Sequence, residues 1–349
     1  MQLTILSGFN LIYKHALFLL VSFQTLINLQ KLNIPSAIFF ASTTLVLLFS
    51  SIWTSQLSYF MYFSLCSILF LRLQSVNKNL LTLPVLNFYC FAVSAAVILN
   101  IIASRFVDIS QLNTLLRALS GSSLHFLNAK PPLFAFLPTP LWLPFFIFNP
   151  LFLYLALINH RIFQAALLFI CCVLLAQKTA ILISVVIVVI YCARINLYFV
   201  NIIIIIFIVV TPIFGFLYVL HFPVDFNNFN RWGGFDIRLA QILSLLIQMK
   251  DNGLFDILFG LSSGTFFSHL QGVDLSAQEI DTLNVLKNFG ILGSFCFWLW
   301  IITFVTNARN KPYIQQFIFL WLVIFSSNPG LWTPVSAILL SQVMKWRNV

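Results

Sequence analysis

Only eight carboxylate side chains occur in the 349 residues, and seven of them fall between His221 and Thr282. They are Asp225, Asp236, Asp251, Asp256, Asp274, Glu279 and Asp281; the eighth is Asp108. A polar island this large in a greasy sequence reads as an extramembrane loop and a home for chemistry. Its last stretch, Ser276-Ala-Gln-Glu279-Ile-Asp281, leads into an apolar run. Two roles fit Glu279. Ser276-x-x-Glu279 is a capping box, whose carboxylate bonds a backbone N–H at a helix start. Alternatively, Glu279 is a general base at the outer mouth of a cavity, with Asp281 as a second carboxylate. Asp281, Asn284, Lys287 and Asn288 share one helical face. Lys287 lies inside the apolar run. A charge at that depth faces a bundle interior or a watery cavity, or its stem snorkels outward.

The cations suit a phosphate ligand. The stretch Asp236–Lys250 reads as an amphipathic helix with Asp236 as N-cap. Arg238, Gln241, Ser244 and Gln248 form a polar stripe; Leu239, Ile242, Leu243 and Leu246 form the opposite one. Such a helix is expected to lie on the outer membrane surface, with Arg238 at the depth of a lipid phosphate. Lys178, in the short connection Ala176-Gln-Lys-Thr-Ala180, is either a tolerated surface charge or part of the same site. Arg105, Arg117, Lys130, Arg231 and Arg238 complete an outer set of cations for which anionic lipid phosphate is the natural ligand.

Several chemistries find no support. There is no Asp-x-Asp pair, HExxH, Walker loop or Gly-x-Ser-x-Gly, and the five histidines are scattered. Gly260-Leu-Ser-Ser-Gly264 reads as a turn and is weak as a phosphate cradle. No metal and no cofactor are expected.

The elements that must position these groups are membrane helices. Charged residues make up 7% of the chain, against about 25% in a soluble domain. Apolar runs of spanning length recur without the alternation of a β-barrel. The expected fold is all-α: one polytopic transmembrane domain over residues 1–349, with about eleven helices, in a range of ten to twelve. The runs are 11–29, 36–54, 57–73, 80–104, 141–159, 162–177, 179–194, 196–220, 283–305, 313–327 and 329–345. Two long connections, 105–140 and 221–282, interrupt them. Lys31, Arg72, Lys78, Arg161, Arg194, Arg309 and Lys311 fall on alternate connections, together with the C-terminal Lys345 and Arg347. The positive-inside rule puts that side in the cytoplasm and both long loops outside. The net charge of +10 therefore reads as topology and not as nucleic-acid binding. The prolines between 131 and 150 predict irregular backbone, with a helix starting after Asn149-Pro150. The six cysteines all lie in apolar runs and read as core residues without a disulfide framework. No cleaved signal peptide is expected.

The order of these features resembles the bacterial O-antigen polymerase and O-antigen ligase superfamily. Phe148-Asn149-Pro150-Leu-Phe-Leu is similar to that family's Phe-x-Asn-Pro-Asn helix start. Gln177-Lys178-Thr179-Ala180 sits where the family has Ser-Arg-Thr/Gly. Arg238 lies where the family's loop Arg precedes an amphipathic helix. Leu258-Phe-Gly260-Leu-Ser-Ser-Gly264 resembles its Gly-x-Gly segment. Glu279-Ile-Asp281-Thr-Leu-Asn-Val-Leu-Lys-Asn-Phe-Gly290-Ile-Leu-Gly resembles the start of its Phe-Gly-Ile-Ile-Gly helix. The likeness covers residues 140–300. It implies a GT-C-like membrane glycosyltransferase of the inner membrane that joins oligosaccharide repeat units carried on undecaprenyl pyrophosphate. In that scheme Glu279, Arg238 and Asp281 are catalytic, and Lys178, Arg105, Arg231 and Lys287 bind pyrophosphate. Membrane lipid and a chain-length regulator protein are the implied partners, with no nucleic acid. Glu279 stands where ligases carry His, which favours a polymerase. The ligase, a lipid-linked oligosaccharide flippase and a structural membrane protein remain as alternatives.

Overall fold

The computed structural model describes residues 83–106, 139–174, 178–229, 234–263, 265–275, 281–327 and 334–343, with residues 46, 48–50, 52, 53, 66 and 67. The expected helix 11–29, most of 36–54 and 57–73, and most of the loop 105–140 lie outside the described residues.

The described chain is mostly helical. The helices are α1 (Leu83–Phe106), α2 (Thr139–Ile158), α3 (Ile162–Leu174), α4 (Lys178–Ala193), α5 (Tyr198–His221), α6 (Gly234–Asn252), α7 (Leu254–Phe259), α8 (Asp281–Asn307), α9 (Pro312–Ser327) and α10 (Pro334–Val343). A short 3-10 turn, Phe226–Asn228, precedes α6. Eight expected apolar runs thus coincide with α1–α5 and α8–α10, with ends moved by a few residues. Two helices, Tyr198–His221 and Thr282–Asn307, are long and apolar enough to cross a membrane. Most of α5 is unburied: Phe199, Phe207 and Phe214 stand exposed. A soluble core helix buries such residues, whereas lipid accepts them.

Three departures from the expected fold have clear causes. First, the described part of the proline-rich stretch, from Thr139 on, is helical: α2 runs through Pro140, Pro144 and Pro150, and Asn149-Pro150 falls in its second half; residues 131–138 lie outside the described residues. Pro140 stands in the first turn, where no intrahelical N–H bond exists to lose. Asn149 pins the later part by donating to the Leu168 carbonyl at 3.0 Å and to Cys172 Sγ at 2.9 Å. Secondly, the fold is not wholly α. Phe266–Ser268 (β1) and Val273–Leu275 (β2) form an antiparallel hairpin, with Phe267 opposite Asp274. Gly272, at φ +67°, closes its turn through a 2.7 Å bond from its N–H to the Ser268 carbonyl. Thirdly, all six cysteines are free, but Cys192 is exposed and not a core residue.

The bundle core lies among α2, α3, α4 and α9, with α1 packed on α3 and α5 on α8 and α9. Side-chain amides lock one end of it. Gln316 donates to the carbonyls of Ile195 (2.8 Å) and Ile190 (3.2 Å) and accepts from Tyr154 Oη at 2.7 Å. Asn201 donates to Gln315 Oε1 at 2.7 Å, and Gln315 to the Val305 carbonyl at 2.7 Å. At this end the connections 159–161, 194–197 and 308–311 meet: Asn196 donates to the Arg309 carbonyl at 2.9 Å, and the Arg309 guanidinium stands 5.3 Å over the Tyr198 ring. Tyr191 Oη lies 3.5 Å from His160 Nδ1. Arg161, Arg194, Arg309 and Lys311 are thus gathered at this end, in the three connections between helices.

Candidate functional site

The opposite end carries the polar island. α6 is its spine. The helix begins at Gly234, so Asp236 is not the N-cap but stands in the first turn, where a carboxylate still complements the helix dipole. Leu245, Leu246 and Met249 are fully buried in a second hydrophobic cluster with Phe216 and Val219 of α5 and Leu283 and Leu286 of α8. Lys250 closes the contact by donating to the Val219 carbonyl, in the last turn of α5, at 3.1 Å.

Three residues of the polar stripe of α6, Gln241, Ser244 and Gln248, are covered within the fold. They are roofed by the hairpin. Gln248 Oε1 accepts from the Phe267 N–H at 2.9 Å, and Ser244 Oγ accepts from the His269 N–H at 3.2 Å. Gln241 Nε2 donates to Gln271 Oε1 at 3.1 Å. The geometry explains the pairing. Two strand residues advance about 6.6 Å and four helix residues about 6 Å. A Ser/Gln pair one turn apart therefore meets alternate N–H groups, one on β1 at Phe267 and one just past its end at His269. Ser244 is fully buried in consequence, whereas Arg238, nearer the start of α6, is half-buried.

α7 follows at once and carries Asp256, a carboxylate to which sequence reasoning assigned no role. Asp256 is 2% exposed. Its Oδ1 accepts from Trp53 Nε1 at 2.9 Å. Its Oδ2 accepts from Asn252 Nδ2 at 2.7 Å and from the N–H and hydroxyl of Ser262 at 3.2 and 3.1 Å. The described part of the expected turn, residues 260–263, is organised by this carboxylate, and Gly264 lies outside the described residues. Phe49 and Trp53 pack on Phe259 and Phe255 at centroid distances of 4.7 and 5.3 Å. Asp256 and these rings tie the polar island to the N-terminal part of the chain.

α8 is broken. Gly290 adopts φ +65°, ψ −169°, which separates the segment 281–289 from 291–307. The break frees backbone carbonyls, and both neighbouring ones find partners: Leu261 donates its N–H to the Lys287 carbonyl at 2.8 Å, and Ser50 Oγ donates to the Phe289 carbonyl at 3.3 Å. Two glycines make the junction close. A Cβ at Gly290 would collide with the backbone of Leu258 and Phe259. A Cβ at Gly260, whose φ is +105°, would stand 2.7 Å from the Asn288 carbonyl carbon. The α7–Leu261 segment and the break in α8 are thus fitted backbone to backbone.

On the first segment of α8, Asn284, Lys287 and Asn288 are all buried. Lys287 is 2% exposed, so of the two expectations for it the interior one holds and the snorkelling one does not. Asn288 is 3% exposed, and among the described residues its Oδ1 has no hydrogen-bond partner. Asp281 opens the same segment. Glu279, Arg231 and Ser276 lie outside the described residues.

The remaining cations are located by the run of the helices. α1 and α3 are parallel, since Asn87 meets Gln164 (3.1 Å) and Ser94 meets Cys171 (3.8 Å). Arg105, in the last turn of α1, and Lys178, the first residue of α4, therefore lie at the end opposite the basic connections. Arg105, Lys178 and the start of α8 share that end of the bundle. Among the described residues no group of three or more His, Cys, Asp or Glu side chains is placed to hold a metal ion.

Neither the protein-family models, nor the curated proteins, nor the solved structures contain a match to this chain.

Proposed function

We propose that the chain is a multi-pass protein of a bacterial inner membrane that polymerises oligosaccharide repeat units carried on undecaprenyl pyrophosphate. The observation that carries this reading is Lys287: a buried cation flanked by two buried asparagines, on the first segment of a broken apolar helix beneath a polar loop domain. Buried intramembrane charge is costly and is retained for function, and broken membrane helices surround binding sites. The gathering of Arg161, Arg194, Arg309 and Lys311 at the other end supports a cytoplasmic assignment for that end. The polar island then faces the periplasm.

In the reaction, the hydroxyl at the non-reducing end of one lipid-linked unit attacks the anomeric carbon of another. The new glycosidic C–O bond forms as the bond to pyrophosphate breaks, with inversion. The hydroxyl proton passes to Glu279 or Asp281, and undecaprenyl pyrophosphate leaves with the electron pair. Lys287, Lys178 and Arg238, with Arg105 and Arg231, would meet the departing charge, each well-placed donor being worth about 3–4 kcal/mol. Pyrophosphate leaves readily, so the scheme needs no metal.

Topology gives a first test. A periplasm-specific reporter fused at Asn227 or Ser262 is expected to be active, and a cytoplasm-specific one silent. The reverse pattern at both sites would remove the orientation and the mechanism with it. The function itself is tested by deleting the gene in its own host. A polymerase predicts loss of the long polymer while lipopolysaccharide bearing a single repeat persists. Loss of every glycan-capped form would instead indicate a ligase.

One observation favours a second reading. A discontinuous helix holding a buried charge also suits a transporter that moves lipid-linked oligosaccharide across the bilayer. The two differ in product, because a transporter lengthens nothing.

A further inference from the structure

We propose that the break in α8 binds the saccharide of the acceptor, through the side-chain carbonyl of Asn288. The inference rests on the polymerase reading and assigns a residue that the reading leaves without a role. Four observations lead to it. Asn288 is 3% exposed, yet among the described residues its Oδ1 has no partner. A buried acceptor left unsatisfied costs about 1–3 kcal/mol; Asn149 and Asn201 also carry an unpartnered Oδ1, but within the helix bundle, whereas that of Asn288 lies beside the break in α8. The backbone beside it shows no such neglect, since the Lys287 and Phe289 carbonyls on either side both accept hydrogen bonds. A second orphan, Ser294 Oγ, lies one turn beyond Gly290, so unsatisfied polar atoms flank the break on both sides.

The chemistry of the atom selects the ligand. An amide oxygen only accepts. It suits a hydroxyl and repels a phosphate oxygen that carries no proton. Lys287, the preceding residue, offers the opposite preference. The two neighbours thus sort a glycan phospholipid into its parts: hydroxyls to Asn288, anionic groups to Lys287. Gly260 packs on the backbone of Asn288 itself, so the loop domain sets the position of this group.

The test uses purified full-length protein in lipid nanodiscs and two probes. One is the oligosaccharide released by mild acid from the host's own lipid-linked pool. The other is farnesyl pyrophosphate. Wild type is expected to bind both. Asn288→Leu is close in volume and removes the orphan, so its Tm should be unchanged or higher. It should keep its affinity for farnesyl pyrophosphate and lose about 10-fold or more for the oligosaccharide, the loss of one good hydrogen bond. Asn288→Asp retains an acceptor and should bind the oligosaccharide within a few-fold of wild type. Oligosaccharide affinity unchanged in Asn288→Leu would overturn the assignment. So would a lowered Tm with both probes weakened, which marks a structural asparagine. If wild type binds neither probe, the polymerase reading itself falls.

Discussion

Lys287→Met is expected to cut polymer formation by about 10²-fold or more while the protein accumulates normally and melts no lower than wild type. The expectation combines two opposed energies. Burying an ammonium at 2% exposure costs several kcal/mol even after relaxation. Methionine fills much the same space with no charge to desolvate, and that gain offsets the loss of the interaction Lys287 makes, so the fold should about break even. Under the proposed function, catalysis would lose a preorganised cation for the leaving group, about 3–4 kcal/mol of transition-state stabilisation. That is a factor of about 10² to 10³. A lysine kept only for a structural ion pair would behave in the opposite way: losing it would strand its partner and lower stability by about 3–5 kcal/mol. Polymer within a few-fold of wild type, together with a lowered Tm, would assign Lys287 to the scaffold.

Among glycines 215, 253, 260, 272 and 290, Gly290→Ala is expected to be the most destabilising substitution. Backbone at φ +65° and ψ −169° is open essentially to glycine alone and costs any other residue about 1–3 kcal/mol. The new methyl also meets the backbone of Leu258 and Phe259, which cannot rotate away. Overpacking adds about 1–3 kcal/mol, so the total is about 3 kcal/mol or more. Gly253→Ala is the internal control. Its φ is +107°, but nothing lies within 4 Å of its would-be Cβ, so it should show the strain alone. Thermal unfolding in detergent separates the two variants. Equal losses at positions 253 and 290 would mean that the junction of α7 with the break in α8 yields easily.

The same junction shows what the sequence could and could not reveal. Apolar runs fixed α1, α3, α4, α5, α8 and α9 closely, because membrane helices are set by length and composition more than by detail. Prolines misled at α2: Pro140 falls in the first turn, and a helix packed among neighbours tolerates the others. The polar stripe of α6 was legible, but its partner was not. Its regular spacing fits a water-facing surface and a hairpin edge equally well. The strands are three residues each, too short for alternation to speak. Gly272 before Val-Asp-Leu was the available signal. Asp256 was opaque for another reason: one of its donors, Trp53, lies 203 residues earlier in the chain. Lys287 was legible because charge in an apolar run is rare. The break at Gly290 was not, since glycine within a helical pattern is usually tolerated without a kink.

The central claim is glycan elongation, and reconstitution tests it most directly. Purified protein in proteoliposomes is supplied with undecaprenyl-pyrophosphate-linked repeat units in the presence of a chelator, and the lipid-linked glycans are separated by length. The account predicts a ladder of lengthened chains with release of undecaprenyl pyrophosphate, and no ladder from Lys287→Met. Repeat units that stay single, or that merely cross the bilayer unlengthened, would contradict it.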